Sequence, residues 1–337
     1  MMGRALILFG AGASFGSDAG ETPPLGQCLY NALAGFSPET WGRVSLTEAA
    51  SFLEDFEKGM KAFADARPTQ VDVLQRAMAA YFFQFKPSLT SAYVRLAKRI
   101  RDQNWNGALA TLNYERLLTL SLRQAGLCVQ YRPPELYTDL ELLLPHGCCN
   151  LFGNIRAPQS TPGVPGDNLV AQRRTILKLP RRADGTEIPV NLVTQNGGPI
   201  AFGERVMLDG EEIREIDAPD QYAKELREST VPPVMSRFQP DKQTRAGVSF
   251  IVGQRQRFAD LVRSAPVVAI VGVKVRPHDQ HIWNPLAQTS ARLVYCAGES
   301  AVPEFEQWKK DYGRMEDQAI PAKWDDRFDE ICRAISL

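Results

Sequence analysis

The apolar residues of this chain fall into two alternating patterns. Short, predominantly apolar runs occupy Arg4 to Phe9, Gly107 to Leu112, residues 139–144, Val267 to Val271 and Arg292 to Cys296. Such runs are the mark of strands buried on both faces in a parallel sheet. Between them the spacing turns helical. Leu53, Phe56 and Met60 share one face, Val71, Leu74, Met78 and Phe82 another, and Pro68 and Pro87 punctuate the stretch. Further helices are predicted over Leu25 to Leu33, Tyr114 to Gln124 with Gly126 placed to end it, Phe250 to Ser264, and residues 302–312 and 324–335. From 155 to 215 the texture becomes short strands, Thr175 to Leu179, Pro189 to Val193 and Gly203 to Leu208. Hairpin-type turns are predicted at Ala183-Asp-Gly185 and Asp209-Gly210. Strands alternating with helices predict an α/β protein with a doubly wound parallel sheet. The expected organisation is a single domain over 1–337, with a helical insertion at 45–103 and a β-rich insertion at 155–215.

Composition adds mostly exclusions. The 337 residues carry 39 basic and 39 acidic side chains, a formal net charge of zero, so no electrostatic argument favours a nucleic-acid partner. The first apolar run is too short for a secretion signal or a membrane span, so no membrane partner is expected. The six cysteines, Cys28, Cys128, Cys148, Cys149, Cys296 and Cys332, contain no CxxC pair. That predicts no metal site and no zinc, and thiols kept reduced in the cytoplasm.

Three constellations carry candidate chemistry. Gly10-Ala11-Gly12-Ala13-Ser14 breaks the first strand; a glycine pair there lets backbone approach a pyrophosphate, and equally suits close packing. It is not a GxGxxG fingerprint, because Phe15 interrupts it. Thr111-Leu-Asn113-Tyr-Glu115 sits where a later strand yields to a helix, the edge on which open α/β sheets hold ligands. Asn113 can orient a ribose hydroxyl or a water there, or cap the helix. His146, in Leu144-Pro-His-Gly147, is a general-base candidate or an ordinary turn residue. Cys148-Cys149 reads as packing, and the cluster of His278, Asp279 and His281 reads as a loop or cap before it reads as a metal site.

Taken in order, a glycine turn, a Thr-x-Asn-x-acid turn and a His-Gly pair resemble the sirtuin superfamily. The likeness extends through Val234 to Lys242, Val267 to Val273, and Asp279 with His281-Ile282, the last resembling an Asp-x-His-Ile stretch of sirtuin-like proteins in bacterial antiphage defence. The resemblance implies a Rossmann-like, sirtuin-like fold. It assigns Gly10, Ala11, Gly12 and Ser14 to the phosphates of NAD, Asn113 to the nicotinamide ribose or attacking water, His146 to the base, Gly272 to the adenine ribose, and Asp279 to the same site. Glu115 is matched to the carboxamide. The four-cysteine zinc module of deacylase sirtuins is absent, Leu112 stands where they carry Gln, and Tyr114-Glu115 where they carry Ile-Asp. The departures match the defence branch, whose members hydrolyse NAD as substrate. An NAD or ADP-ribose sensor and an NAD-dependent deacylase are the alternatives. Control by homo-oligomer assembly or by a partner defence protein is expected.

Overall fold

The computed structural model describes residues 3–18, 20–133, 139–154, 177–178, 207–208, 212–229, 231–237, 242 and 244–337. Two compact units emerge. The first comprises residues 1–32, 82–147 and 252–337; the second, 33–81 and 148–251.

The first unit is built on a seven-stranded sheet. Its strands are β1 (Leu6–Phe9), β2 (Ala108–Thr111), β3 (Cys128–Gln130), β4 (Asp139–Leu143), β9 (Val267–Val271), β10 (Arg292–Ala297) and β11 (Gln318–Pro321). The spatial order is β11-β10-β9-β1-β2-β4-β3, and every pairing is parallel. β1 lies at the centre, with Ile7 in register with Leu109 on one side and Ala269 on the other. From β1 the chain passes to β2, then to the edge strand β3 and back to β4, which lies between β2 and β3. It then returns to the other side of β1 through β9, β10 and β11, so the winding reverses between β1 and β9. In open α/β sheets the carboxyl ends of strands at such a reversal form the ligand crevice.

Alternation along the strands explains both covered faces. Leu6, Leu8, Ala108, Ala110, Val268, Ile270, Leu293 and Tyr295 point to one face. There they meet Phe258, Leu261 and Val262 of the helix Val248–Ser264, Ile282, Trp283 and Leu286 of Gln280–Gln288, and Phe305 and Trp308 of Val302–Asp311. Tyr295 stacks on Phe305 with centroids 4.1 Å apart. On the opposite face Phe9 packs edge-on against Tyr93, from the helix Ala92–Asp102, and against Trp324. With helices on both faces, the sheet is doubly wound and Rossmann-like. One charge is fully buried in it: Glu141 of β4 takes two bonds from Arg257, Nε to Oε1 at 2.6 Å and a terminal nitrogen to Oε2 at 3.0 Å, and a third from Arg4.

The second unit gathers helices and short antiparallel pairs. Leu46–Glu54 begins with a capping box of Ser45 and Glu48, and Phe56–Ala66 with Asp55, whose carboxylate accepts from the Glu57 and Lys58 amides. Trp41, Phe52, Phe56 and Phe63 form its aromatic centre. β5 (Leu151–Asn154) pairs with β8 (Glu212–Glu215), and β6 (Leu177–Lys178) with β7 (Met207–Leu208). Gln75 Nε2 donates to Met235 O at 2.7 Å, and Lys242 pairs with Glu57 at 2.6 Å, tying the two stretches of this unit together.

Several expectations shift by a few residues. The helix predicted from Tyr114 begins at Leu117, because the side chains of residues 113–115 are committed to the turn before it. Within the 45–103 stretch, Ala92–Asp102 packs into the first unit. Of the strands predicted over 155–215, the Pro189 to Val193 run and both hairpin turns lie outside the described residues. Two edge strands, β3 and β11, carry no apolar run and were not predicted.

Candidate active site

Every sequence-marked residue of the site belongs to the first unit and sits at the carboxyl end of a strand. Gly10 follows β1, Asn113 follows β2, His146 follows β4 and Gly272 follows β9.

The glycine turn is held against the end of β9. Gly10 N donates to Val271 O and Gly12 N to Gly272 O, each at 2.9 Å. A Cβ on Gly10 would stand 2.6 Å from Gly272 O, and one on Gly12 3.0 Å from Gly272 Cα. Gly272 itself has φ +65°, in the left-handed region that glycine tolerates. The space that the glycines leave on this side is therefore filled by the neighbouring strand end, and their absence of side chains is required by packing whatever the turn binds. Beneath the turn, Trp324 Nε1 donates to Ala13 O at 2.8 Å.

Ser14 and Asn113 form a buried network. Ser14 Oγ donates to Glu115 Oε1 at 2.6 Å, accepts from Asn113 Nδ2 at 2.9 Å, and lies 3.0 Å from the Tyr93 hydroxyl. A hydroxyl has one proton and two acceptor sites, so these three partners use its full capacity. Asn113 Nδ2 also donates to Gly10 O at 3.1 Å, and its backbone N–H to Thr111 Oγ1 at 3.1 Å. Asn113 thus does not cap the following helix. Glu115 takes that part, accepting from Leu117 N at 2.5 Å through Oε2. With Oε1 on Ser14 and Oε2 on Leu117, the Glu115 carboxylate serves the turn rather than facing outward. Burial raises its carboxyl above the ordinary value, against the opposing pull of its hydrogen bonds to Ser14, Leu117 and Asn113 and the charge of Arg116. Burial, and then the Glu115 charge, pushes the Tyr93 phenol well above its own.

His146 is buried in a turn closed by Gly147 N to Leu144 O at 2.9 Å, with Gly147 at φ +80°. Its ring stacks on Tyr114, the residue after Asn113, at 6.2 Å between centroids, and Tyr114 stacks in turn on Phe82. This stack sets the His146 loop beside the Asn113 loop. His146 Nε2 lies 2.8 Å from His281 Nε2. Asp279 joins them: one ligand atom from each of His146, Asp279 and His281 falls within 4.8 Å of the others. Asp279 occupies the N-cap position of the helix Gln280–Gln288, yet its side chain makes no cap bond. Arg255 reaches the same loop, donating from Nε to Pro145 O at 3.1 Å, and burial lowers its guanidinium below the ordinary value.

The structure therefore brings Gly10, Gly12, Ser14, Asn113, Glu115 and Gly272 into one connected group and His146 with Asp279 into another, joined through Tyr114. Cys148 and Cys149 are buried, as packing predicts. Sequence reasoning missed Tyr93, which carries no motif. It also set His281 beside His278, its neighbour in the chain, whereas the fold pairs it with His146. Among the described residues no helix is long and apolar enough to cross a membrane.

No protein-family model matches the chain, and no curated protein matches it. Among solved structures it is similar to a Sir2 homolog–NAD complex, at 14% identity and a TM-score of 0.44 over 98% of this chain and 89% of that one. It is also similar to a mutant Sir2 homologue in complex with ADP-ribose, at 14% identity and 0.42 over 98% and 91%. A third is Sir2 bound to acetylated peptide, at 13% identity and 0.37 over 98% and 92%.

Proposed function

We propose that this chain binds NAD at the carboxyl edge of its sheet and hydrolyses the nicotinamide–ribose bond, releasing nicotinamide and ADP-ribose. The observation that carries this reading is the pre-set Asn113 amide beside a buried histidine. Asn113 Nδ2 donates to Gly10 O and Ser14 Oγ, which sets the orientation of the amide. The Oδ1 atom is then the acceptor that a water or ribose hydroxyl would meet, with His146 held alongside through Tyr114.

The chemistry asks for positioning more than covalent help. The leaving group is a cationic pyridinium, so the C1′–N bond breaks with its electron pair passing to nicotinamide, which departs neutral. Water attacks the ribosyl cation at C1′ and loses a proton, which His146 would accept. In this reading Gly10, Ala11, Gly12 and Ser14 border the pyrophosphate and Gly272 the adenine ribose. Glu115 acts indirectly, by holding Ser14 and the helix start. The effector role in antiphage defence, under control of assembly or a partner protein, is part of the proposal and rests on the resemblance of the motifs to the defence-associated proteins.

The experiment is nicotinamide release by the purified chain, with and without an acetylated peptide. Wild type is expected to release nicotinamide from NAD alone, His146→Ala to lose ~10²–10⁴-fold, the usual cost of removing a positioned acid–base group, and Asn113→Ala to lose ~10²–10³-fold, the usual cost of removing a positioned hydrogen-bonding group. Release that depends on the peptide would make the protein a deacylase. Tight NAD binding without any release would make it a sensor. Activity retained in a folded His146→Ala would remove the base assignment.

A further inference from the structure

We propose that His146 Nε2, His281 Nε2 and an Asp279 carboxylate oxygen form a binding site for a divalent first-row transition ion of the zinc class. The three donors come from two segments that the strand order keeps apart: the His146 loop, and the start of the helix Gln280–Gln288 with its N-cap residue Asp279. β4, ahead of His146, and β9, ahead of Asp279 and His281, are separated by β1 and β2. Three strand spacings amount to roughly 14 Å, so the segment after β9 crosses the ends of two strands to bring these groups together. Two imidazoles and a carboxylate then meet within 4.8 Å.

Their chemistry fits an ion of this class. Imidazole nitrogens favour zinc and its neighbours over magnesium or calcium, which prefer all-oxygen shells. Zinc holds histidine nitrogen at ~2.0–2.1 Å, so tetrahedral ligands lie about 3.3 Å apart. The two Nε2 atoms, now 2.8 Å apart, would need to open by only about half an ångström. Three protein ligands leave a fourth position open, as in catalytic rather than structural sites. Asp279 is buried at a helix start that its side chain does not cap, within the electrostatic reach of Arg255. The cysteine pattern carries no trace of such a site, and its donors span 135 positions between His146 and His281.

One consequence rests on the proposed hydrolase reading. Metal and proton would compete for the same His146 Nε2, so an occupied site lacks its base and NAD cleavage would be inhibited. The binding test does not depend on that reading. Tag-free, full-length protein is stripped with chelator and titrated with Co²⁺, following the visible ligand-field bands. One saturable equivalent is expected in wild type. His281→Ala and Asp279→Ala should each weaken it by at least the ~10–100-fold that even an outer-shell change costs, while His278→Ala should bind as wild type does. If His281→Ala melts early, His281→Gln and Asp279→Asn replace the ligands with smaller disturbance. No saturable uptake, or equal uptake by folded His281 variants, overturns the site and leaves the two histidines as a proton-sharing pair. Uptake of one equivalent by a chain that never releases nicotinamide would uphold the site and sink the hydrolase reading alone.

Discussion

Adding a methyl group to Gly10 tests whether the glycine turn is first a packing device. The new Cβ would stand 2.6 Å from Gly272 O and 2.9 Å from Val273 Cα, both backbone atoms that cannot swing aside. Ordinary contact begins at 3.4 Å, so the ends of β1 and β9 must part by on the order of 0.5–0.8 Å. That displacement breaks or badly stretches the 2.9 Å bonds from Gly10 N to Val271 O and from Gly12 N to Gly272 O. Overpacking of this kind costs ~1–3 kcal/mol, and two backbone bonds add ~0.5–1.5 kcal/mol each. Gly10→Ala should therefore lose about 2–6 kcal/mol. Gly12→Ala, whose Cβ meets Gly272 at 3.0 Å, needs a shift of a few tenths of an ångström and should lose ~1–2 kcal/mol. Gly253, inside the helix Val248–Ser264, has nothing within 4 Å of the point where a methyl group would stand. Gly253→Ala should gain ~0.5–1 kcal/mol from helix propensity, giving a control of opposite sign. Urea unfolding read by circular dichroism, with constant slope as the check on two-state behaviour, supplies the order Gly10→Ala, Gly12→Ala, wild type, Gly253→Ala. Wild-type stability in both turn variants would refute the packing argument. If NAD then failed to stabilise those stable variants, the glycines would instead be reserved for phosphate.

Two further predictions concern titrating groups. Burial pushes the Cys296 and Cys332 thiols up to about 12 and about 11; in a thiol titration at pH 8, exposed Cys28 and Cys128 should react rapidly and the four buried cysteines only on unfolding, and fast reaction at Cys296 would contradict its burial within β10. Burial also raises the Glu115 carboxyl, so it holds its proton more tightly than in the unfolded chain, and its contribution is complete below the ordinary value of 4.5 and is lost as pH rises through the raised one. The stability of wild type minus that of Glu115→Gln should accordingly fall from pH 4.5 upward, and a flat or rising difference would disprove the sign.

The central strands were legible because a strand covered on both faces must be apolar throughout, as Leu6–Phe9 and Val267–Val271 are. β3 and β11 are edge strands with half-exposed residues, so nothing in their sequence separates them from loop. The site divides along the same line. Gly10, Asn113 and His146 announce themselves because each is a small or polar residue interrupting an apolar run at a strand end. What holds them was not readable. The hydroxyl of Tyr93, the acceptor role of Gly10 O and the meeting of His146 with His281 are relations across more than seventy residues, set by strand order and not by spacing. Asn113 shows the effect most plainly: helix-start position predicts a cap, while the strand next door supplies better partners and passes the cap to Glu115.

The central position of β1 also governs the order in which the molecule can be finished. Residues 6–9 are synthesised long before one of their two partner strands, Val267–Val271. Until Val271, 262 positions after its partner Phe9, has been made, β1 exposes one full row of backbone donors and acceptors, an open edge in the sense that invites wrong pairing. Closing it requires a long chain loop, which makes this step slow relative to local helix formation. The same late closure delivers Gly272 to the glycine turn and His281 to His146. A nascent or C-terminally truncated chain therefore has neither a settled turn nor a paired histidine. Under the hydrolase reading, activity should appear only after β9 and the helix behind it have docked.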